Sequence, residues 1–487
     1  MVFSSLIFLY AFFPLSLLAY FCCKTQEGKN KSLLVFSLIF YAWGEPKFVL
    51  LLLLMSAFDW AMALRISREK QGSTGARLCV ALTCLVNLGL LIFFKYSSML
   101  CSFFGDVPAF IQKIVLPLGI SFYTFQLLTY VIDVYRGEAV AEKKYWHVLL
   151  YAALFHQCIA GPIVRYSSIS EELFVSRSEY ADMPDGAKRF ALGLAKKVVL
   201  ANTCGKLADQ FLLADTAIAD VSALVSNLAR IESTSVLGLW MGIICYTLQI
   251  YFDFSAYSDM AIGMGKMVGL HYMENFNFPY ISRSVTEFWL RWHISLSTFF
   301  RDYVYIPLGG NRCGFARQFL NLFIVWALTG LWHGASLNFL CWGLYYFVFL
   351  VIEKLFLKRV LDKAPILSNL YLMIVVVFGW VLFRFTDMRY IPAVFRGLFG
   401  ANGNALTDFV STVTLKSNMY FLAFSVLAAT PFFRVIWGKI KSAGERSRFF
   451  AGVFDTVDYA VIPVLLMIIS TALLVSEKFN PFLYFRF

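Results

Sequence analysis

Apolar runs long enough to cross a bilayer constrain this chain more than any other feature. "VFSSLIFLYAFFPLSLLAYFCC" (2–23) and "LCVALTCLVNLGLLIFF" (78–94) contain no charged residue. A helix of about 20 such residues matches the hydrocarbon thickness. "YLMIVVVFGWVLF" (371–383) and "YAVIPVLLMIISTALLV" (459–475) are further examples. Composition agrees: 60% of the 487 residues are hydrophobic and 15% are charged, with a mean hydropathy of +0.69. A soluble chain carries about 25% charged residues. Counting such runs, several of them short or broken by Pro and Gly, predicts an all-α polytopic membrane protein with about ten to twelve transmembrane segments.

The net charge of +12 resembles a nucleic-acid signal, but its distribution argues otherwise. Lys and Arg gather in short loops: Lys24, Lys29 and Lys31; Arg65, Arg68, Lys70 and Arg77; Lys354, Lys358, Arg359 and Lys363; and Arg434, Lys439, Lys441, Arg446 and Arg448. That pattern marks cytoplasmic loops, and membrane lipids, not nucleic acid, are the partners it implies. With 24–31 inside, the N-terminus lies outside and 32–64 crosses twice, turning at "WGEPK" (43–47). A last span after 434–448 puts the C-terminus outside as well. The first apolar run has no basic n-region or small-residue cleavage site, so it is expected to be a retained span.

No repeat or linker divides the chain, which predicts one membrane domain over 1–487. Segment 203–235 reads as a short helical excursion and 386–417 as a loop. The ten cysteines show no CxxC spacing and read as small hydrophobes, so no metal is expected.

Chemistry in such a chain has few candidates. His147 reads as an interfacial residue and His271 as part of a polar turn. His156 sits in a polar break and reads as structural or pore-lining. His293 and His333 stand out, because an ionisable group inside a membrane domain faces a partner or a wetted cavity and is functional by default. The competing reading of His333 is a core histidine satisfied across a helix interface. Gly334 and Ala335 remove bulk beside its ring and favour close approach of a helix or substrate. An imidazole titrating near neutrality takes a proton from an attacking hydroxyl and returns it to a leaving group.

The stretch "RSVTEFWLRWHISLSTFF" (283–300) reads as an amphipathic helix. Val285, Trp289, Trp292, Leu296 and Phe299 form one stripe, with Glu287 and Arg291 opposite at ion-pair spacing. His293 falls at the boundary of the two faces. No G-x-S-x-G, P-loop or H-E-x-x-H occurs. Asp253 and Asp259, within an apolar run, keep open a proton-coupled transporter. "GMGKMVG" (263–269) reads as a helix-packing run.

Several segments resemble the membrane-bound O-acyltransferase superfamily over essentially the whole chain. They are "LPLGISFYTFQ" (116–126), "IAGPIVRY" (159–166), "FDFSAYSDMAIGMGKMVGL" (252–270), "ENFNFPYISRSVTEFWLRWHISLSTFFRDYVYIPLGGNR" (274–312) and "LTGLWHGASLNF" (328–339). The resemblance is strongest to the bacterial branch of alginate and peptidoglycan O-acetyltransferase membrane subunits. It implies a helical bundle around a central tunnel in the bacterial plasma membrane. It further implies cytoplasmic acetyl-CoA as acyl donor and an extracytoplasmic polysaccharide as the destination of the acetyl group. The partner it implies is a periplasmic or surface SGNH-type (Ser-His-Asp) O-acetyltransferase.

By the same resemblance His333 is the principal catalytic residue and His293 the second. Trp332, Arg301, Asp302 and Asn311, in the same motifs, are supporting candidates, with an ordinary ion pair as the alternative for Arg301 and Asp302. The aromatic tail 481–487 resembles a short C-terminal motif in which a tyrosine carries acyl groups, which makes Tyr484 an acyl-carrier candidate. A headgroup anchor is the alternative there. Acylation of a protein or lipid acceptor by the same fold is the second reading of function.

Overall fold

A computed structural model of the chain describes residues 1–158, 161–175, 177–178, 180–213, 221–444, 448–477 and 479. Helices joined by turns and irregular stretches make up these residues, with no strand among them. Among the described residues six helices are long and apolar enough to cross a membrane: Val49–Arg68, Thr74–Ser102, Val236–Met267, Leu337–Leu361, Pro365–Arg384 and Phe449–Ser476. Phe409–Ala428 and Phe432–Gly444 add a seventh if they form one broken span, bent by 71°. The chain is therefore an all-helical membrane protein. Fewer helices among the described residues reach that length and apolarity than the ten to twelve expected. Phe8–Cys22 is apolar but short, and Gln26–Gly44 carries Glu27, Lys29, Asn30 and Lys31 near its start.

One compact unit comprises Met1–Gly193 and Tyr257–Glu274. A helix break falls where the turn was expected at 43–47: one helix ends at Gly44 and the next starts at Val49. Val49–Arg68 packs on Thr74–Ser102, Ile120–Arg136 and Tyr145–Ala153. Asn87 donates to the buried Asp59 carboxylate at 2.8 Å across the first of these contacts, the kind of pairing a polar group between spans requires. The run at 263–269 packs as its composition predicts. A Cβ on Gly263 would stand 2.7 Å from the Gly186 carbonyl oxygen and the Phe190 nitrogen.

The other unit comprises Leu194–Ala256 and Asn275–Phe487. Asn202–Phe211 and Val221–Ser233 supply the helical excursion expected over 203–235. The loop expected over 386–417 is shorter than that, since Tyr390–Leu398 is helical and another helix starts at Phe409. Asp408 and Ser411 cap that second helix reciprocally, a local signal that ends the loop. An aromatic core fills this unit, with Trp289, Trp292, Trp326, Trp342, Tyr346 and Trp380 among its buried members.

The amphipathic helix expected over 283–300 is two helices, Val285–Arg291 and Ile294–Phe300, broken at Trp292 and His293. All five residues of its apolar stripe are nonetheless buried, and Arg291 pairs with Glu287 at 2.9 Å. Beyond it, Arg301–Tyr305 forms a π-helical turn, and Gly309 and Gly310 take positive φ to end it.

Candidate active site

His333 is the last residue of helix Phe315–His333. The next helix, Leu337–Ile352, folds back against it, and the glycines at the contact explain how closely. A Cβ on Gly343 would overlap the Trp326 carbonyl oxygen and stand 3.1 Å from the Cα and nitrogen of Gly330. Small residues let two helices meet backbone to backbone inside a membrane, where dispersion replaces the hydrophobic effect as the driving force. Gly334 has a different reason. Its backbone is extended, and the Phe339 ring fills the space a side chain would need.

The buried His333 ring is thereby held edge-on among Trp332, Trp342 and Phe383, at centroid distances of 5.0, 4.9 and 5.3 Å. Asn338 ties the start of the returning helix down by donating to the Leu382 carbonyl at 3.1 Å.

His293 is positioned by a break. Its φ of 45° and ψ of 53° place a non-glycine residue in the left-handed region, which costs about 1–3 kcal/mol and clusters at functional sites. Asn275 holds the break open. Its backbone carbonyl accepts from Ile294 N at 3.0 Å, and its side-chain oxygen accepts from Ser295 N at 3.1 Å and Ser295 Oγ at 2.9 Å.

Upstream, Glu353 anchors the helix that leads into His293. Its buried carboxylate accepts from Val285 N at 2.5 Å, Thr286 N at 2.9 Å and Thr286 Oγ1 at 2.7 Å. A carboxylate at a helix N-terminus satisfies orphan donors and complements the helix dipole.

Trp332 joins the two histidines: its ring lies 5.8 Å from His293 and 5.0 Å from His333. Phe254 packs on the other ring at 5.3 Å. Nε2 of His293 is buried and has no hydrogen-bond partner among the described residues. His293 lies outside the candidate spans, and burial holds its pKa well below the usual imidazole range, which favours the neutral form. Two imidazoles around one indole, walled by aromatic rings, make a low-dielectric setting suited to proton transfer and to stabilising charge on a reacting carbonyl.

The remaining candidates sit elsewhere. Arg301 and Asp302 form an ion pair with each other at 2.6 Å, on a largely exposed arginine. Asn311 accepts from Tyr305 Oη at 2.8 Å and Lys354 Nζ at 3.3 Å, bracing the glycine turn. Tyr484 lies outside the described residues.

His147, His156 and His271 are each engaged, with Glu142 at 2.8 Å, Tyr272 Oη at 3.0 Å and Glu172 at 2.7 Å respectively. The two aspartates of helix Val236–Met267 are committed as well. Asp253 pairs with the buried Lys197 at 2.6 Å and Asp259 with Arg189 at 2.9 Å. All ten cysteines are free thiols. Among the described residues no group of three or more His, Cys, Asp or Glu is placed to hold a metal ion.

Sequence reasoning missed Asn275 and Glu353. Asn275 was visible as a polar residue inside "ENFNFPY", and Glu353 as a single carboxylate closing a long apolar run.

Residues 138–391 match MBOAT, the membrane-bound O-acyltransferase family. The chain is 37% identical over 443 residues to the probable alginate O-acetylase AlgI of Pseudomonas aeruginosa, covering 88% of this chain and 81% of that protein. It is 35% identical to the probable alginate O-acetylase AlgI of Azotobacter vinelandii over the full length of both. To the peptidoglycan O-acetyltransferase of Helicobacter pylori it is 30% identical, over 89% of this chain and 87% of that one. The chain is an acyltransferase and belongs to the membrane-bound O-acyltransferase family.

Proposed function

We propose that the protein takes acetyl from cytoplasmic acetyl-CoA and passes it across the bacterial inner membrane for O-acetylation of an extracytoplasmic polysaccharide, alginate-like or peptidoglycan. The observation that carries this reading is the convergence of His293 and His333 on Trp332, in a chain whose relatives are named O-acetylases and O-acetyltransferases. In this account His333 is the general base. It takes the proton of an acceptor hydroxyl as that oxygen attacks the thioester carbonyl. His293 polarises the carbonyl or orients the acceptor as negative charge develops on the carbonyl oxygen. Collapse of the tetrahedral intermediate breaks the C–S bond. The departing CoA thiolate recovers the proton from His333, leaving an acetyl ester and free CoA.

The acceptor in this first step is the Tyr484 hydroxyl or a hydroxyl that enters from the outer face through a central passage. With both termini outside, the acetyl group is handed to an SGNH-type transferase. Trp332 supports by fixing the spacing of the two imidazoles. Arg301, Asp302 and Asn311 support by shaping the turn beyond the His293 segment.

The test is purified protein in detergent or vesicles, given radiolabelled acetyl-CoA with and without the soluble transferase and an oligosaccharide acceptor. The account expects release of CoA thiol matched by label on the acceptor. Protein that is folded and supplied with both partners, yet leaves acetyl-CoA intact, would overturn it.

A further inference from the structure

We propose that a cleft beside helix Phe432–Gly444 binds an anionic phospholipid, with its phosphate between Arg434 and Lys439 and its first methylenes against Phe278, Ile281 and Val435. These five residues and Arg291 line a space of about 560 Å³, within the range of small-ligand sites, about 300–1,000 Å³. The inference stands apart from the acyl-transfer reading, and its readout is binding.

Charge selects the headgroup. Among the described residues the acidic groups on the neighbouring helices are already used: Asp455 and Asp458 face Lys441 at 2.9 and 3.7 Å, and Glu287 pairs with Arg291. The cleft therefore keeps the positive charge of Arg434 and Lys439, both exposed. Geometry selects a lipid over a soluble phosphate. Helix Phe432–Gly444 turns by 71° from the apolar helix before it and exposes Phe432, Phe433, Ile436 and Ile440. A helix that turns from an apolar helix at that angle with large apolar and basic residues exposed together matches an interfacial helix. The basic stretch also matches a cytoplasmic loop, where the leaflet is anionic. A lipid satisfies the charged rim and the apolar wall at once, whereas a soluble phosphate leaves the wall in water.

Full-length protein in non-ionic detergent is titrated with short-chain phosphatidylglycerol or phosphatidylcholine, and bound lipid is read by native mass spectrometry. Phosphatidylglycerol is expected to bind the tighter of the two. Arg434→Gln and Lys439→Gln each weaken it about fivefold, and the double variant about 25-fold, while Lys439→Arg retains it. Both replaced side chains are exposed, and gel filtration checks that the double variant is folded; if it is not, the single variants carry the test. Equal binding of the two lipids, or wild-type affinity in the charge variants, overturns the proposal. So does displacement of bound lipid by equimolar CoA or inorganic phosphate, which would assign the cleft to a soluble phosphate.

Discussion

Replacing Gly343 by alanine tests whether close helix packing is what sets the candidate site. The added methyl would overlap the Trp326 carbonyl oxygen and lie 3.1 Å from the Gly330 Cα and nitrogen. Carbon contacts settle at about 3.5–4.0 Å, so the two helices must part by about 0.4 Å or more at Gly330 alone. Both obstructing groups are backbone, so no side chain can rotate away. Overpacking of this kind costs about 1–3 kcal/mol, and the upper end applies here. His333 ends one of the two helices, so the displacement reaches the imidazole, and a misplacement of about 1 Å can cost about 100-fold in rate. The assay pairs thermal retention of a monodisperse peak in detergent with acetyl-transfer rate. Gly89→Ala is the control, because a methyl there meets nothing within 4 Å and should be neutral or gain up to about 1 kcal/mol. If Gly343→Ala matches the parent protein in both stability and rate, the packing argument is wrong.

Two further outcomes follow from the same geometry. Glu353→Ala strands two backbone N–H groups and a hydroxyl that now reach its carboxylate at 2.5–2.9 Å, at about 1–3 kcal/mol for each donor left buried. It should lower thermal stability sharply, with Glu353→Gln between the two, and an unchanged melting profile for the alanine variant would refute the anchoring role. If Tyr484 is an acyl carrier, mass spectrometry of the C-terminal peptide under excess acetyl-CoA shows acetyl on the wild type and none on Tyr484→Phe. An unmodified peptide together with full activity of the variant would remove that role.

Much of the architecture was legible because membrane helices announce themselves by hydropathy. Runs 78–94, 371–383 and 459–475 each fall inside a helix long enough to span. The helix break at 43–47 was legible from its Gly and Pro. The break at His293 was not. The apolar stripe from Val285 to Phe299 stays in phase with a helix across it, and every stripe residue is buried, so periodicity alone reports one helix. What breaks it is Asn275, 20 residues away in sequence, and what anchors its upstream end is Glu353, 68 residues from Val285. Such long-range partners leave no local pattern. The loop at 386–417 was overread because its Gly and Asn residues hid the short helix Tyr390–Leu398. The glycine after His333 was read as room for a helix or a substrate, and in the structure Phe339 of the returning helix takes that room.

The most direct test is single-turnover acetyl transfer by purified His333→Gln, a variant that keeps polarity and much of the volume but removes the base. The account predicts a fall of about 100- to 10,000-fold, the typical contribution of general acid–base catalysis, with thermal stability and gel-filtration profile close to wild type. Transfer at the wild-type rate by that folded variant would contradict it.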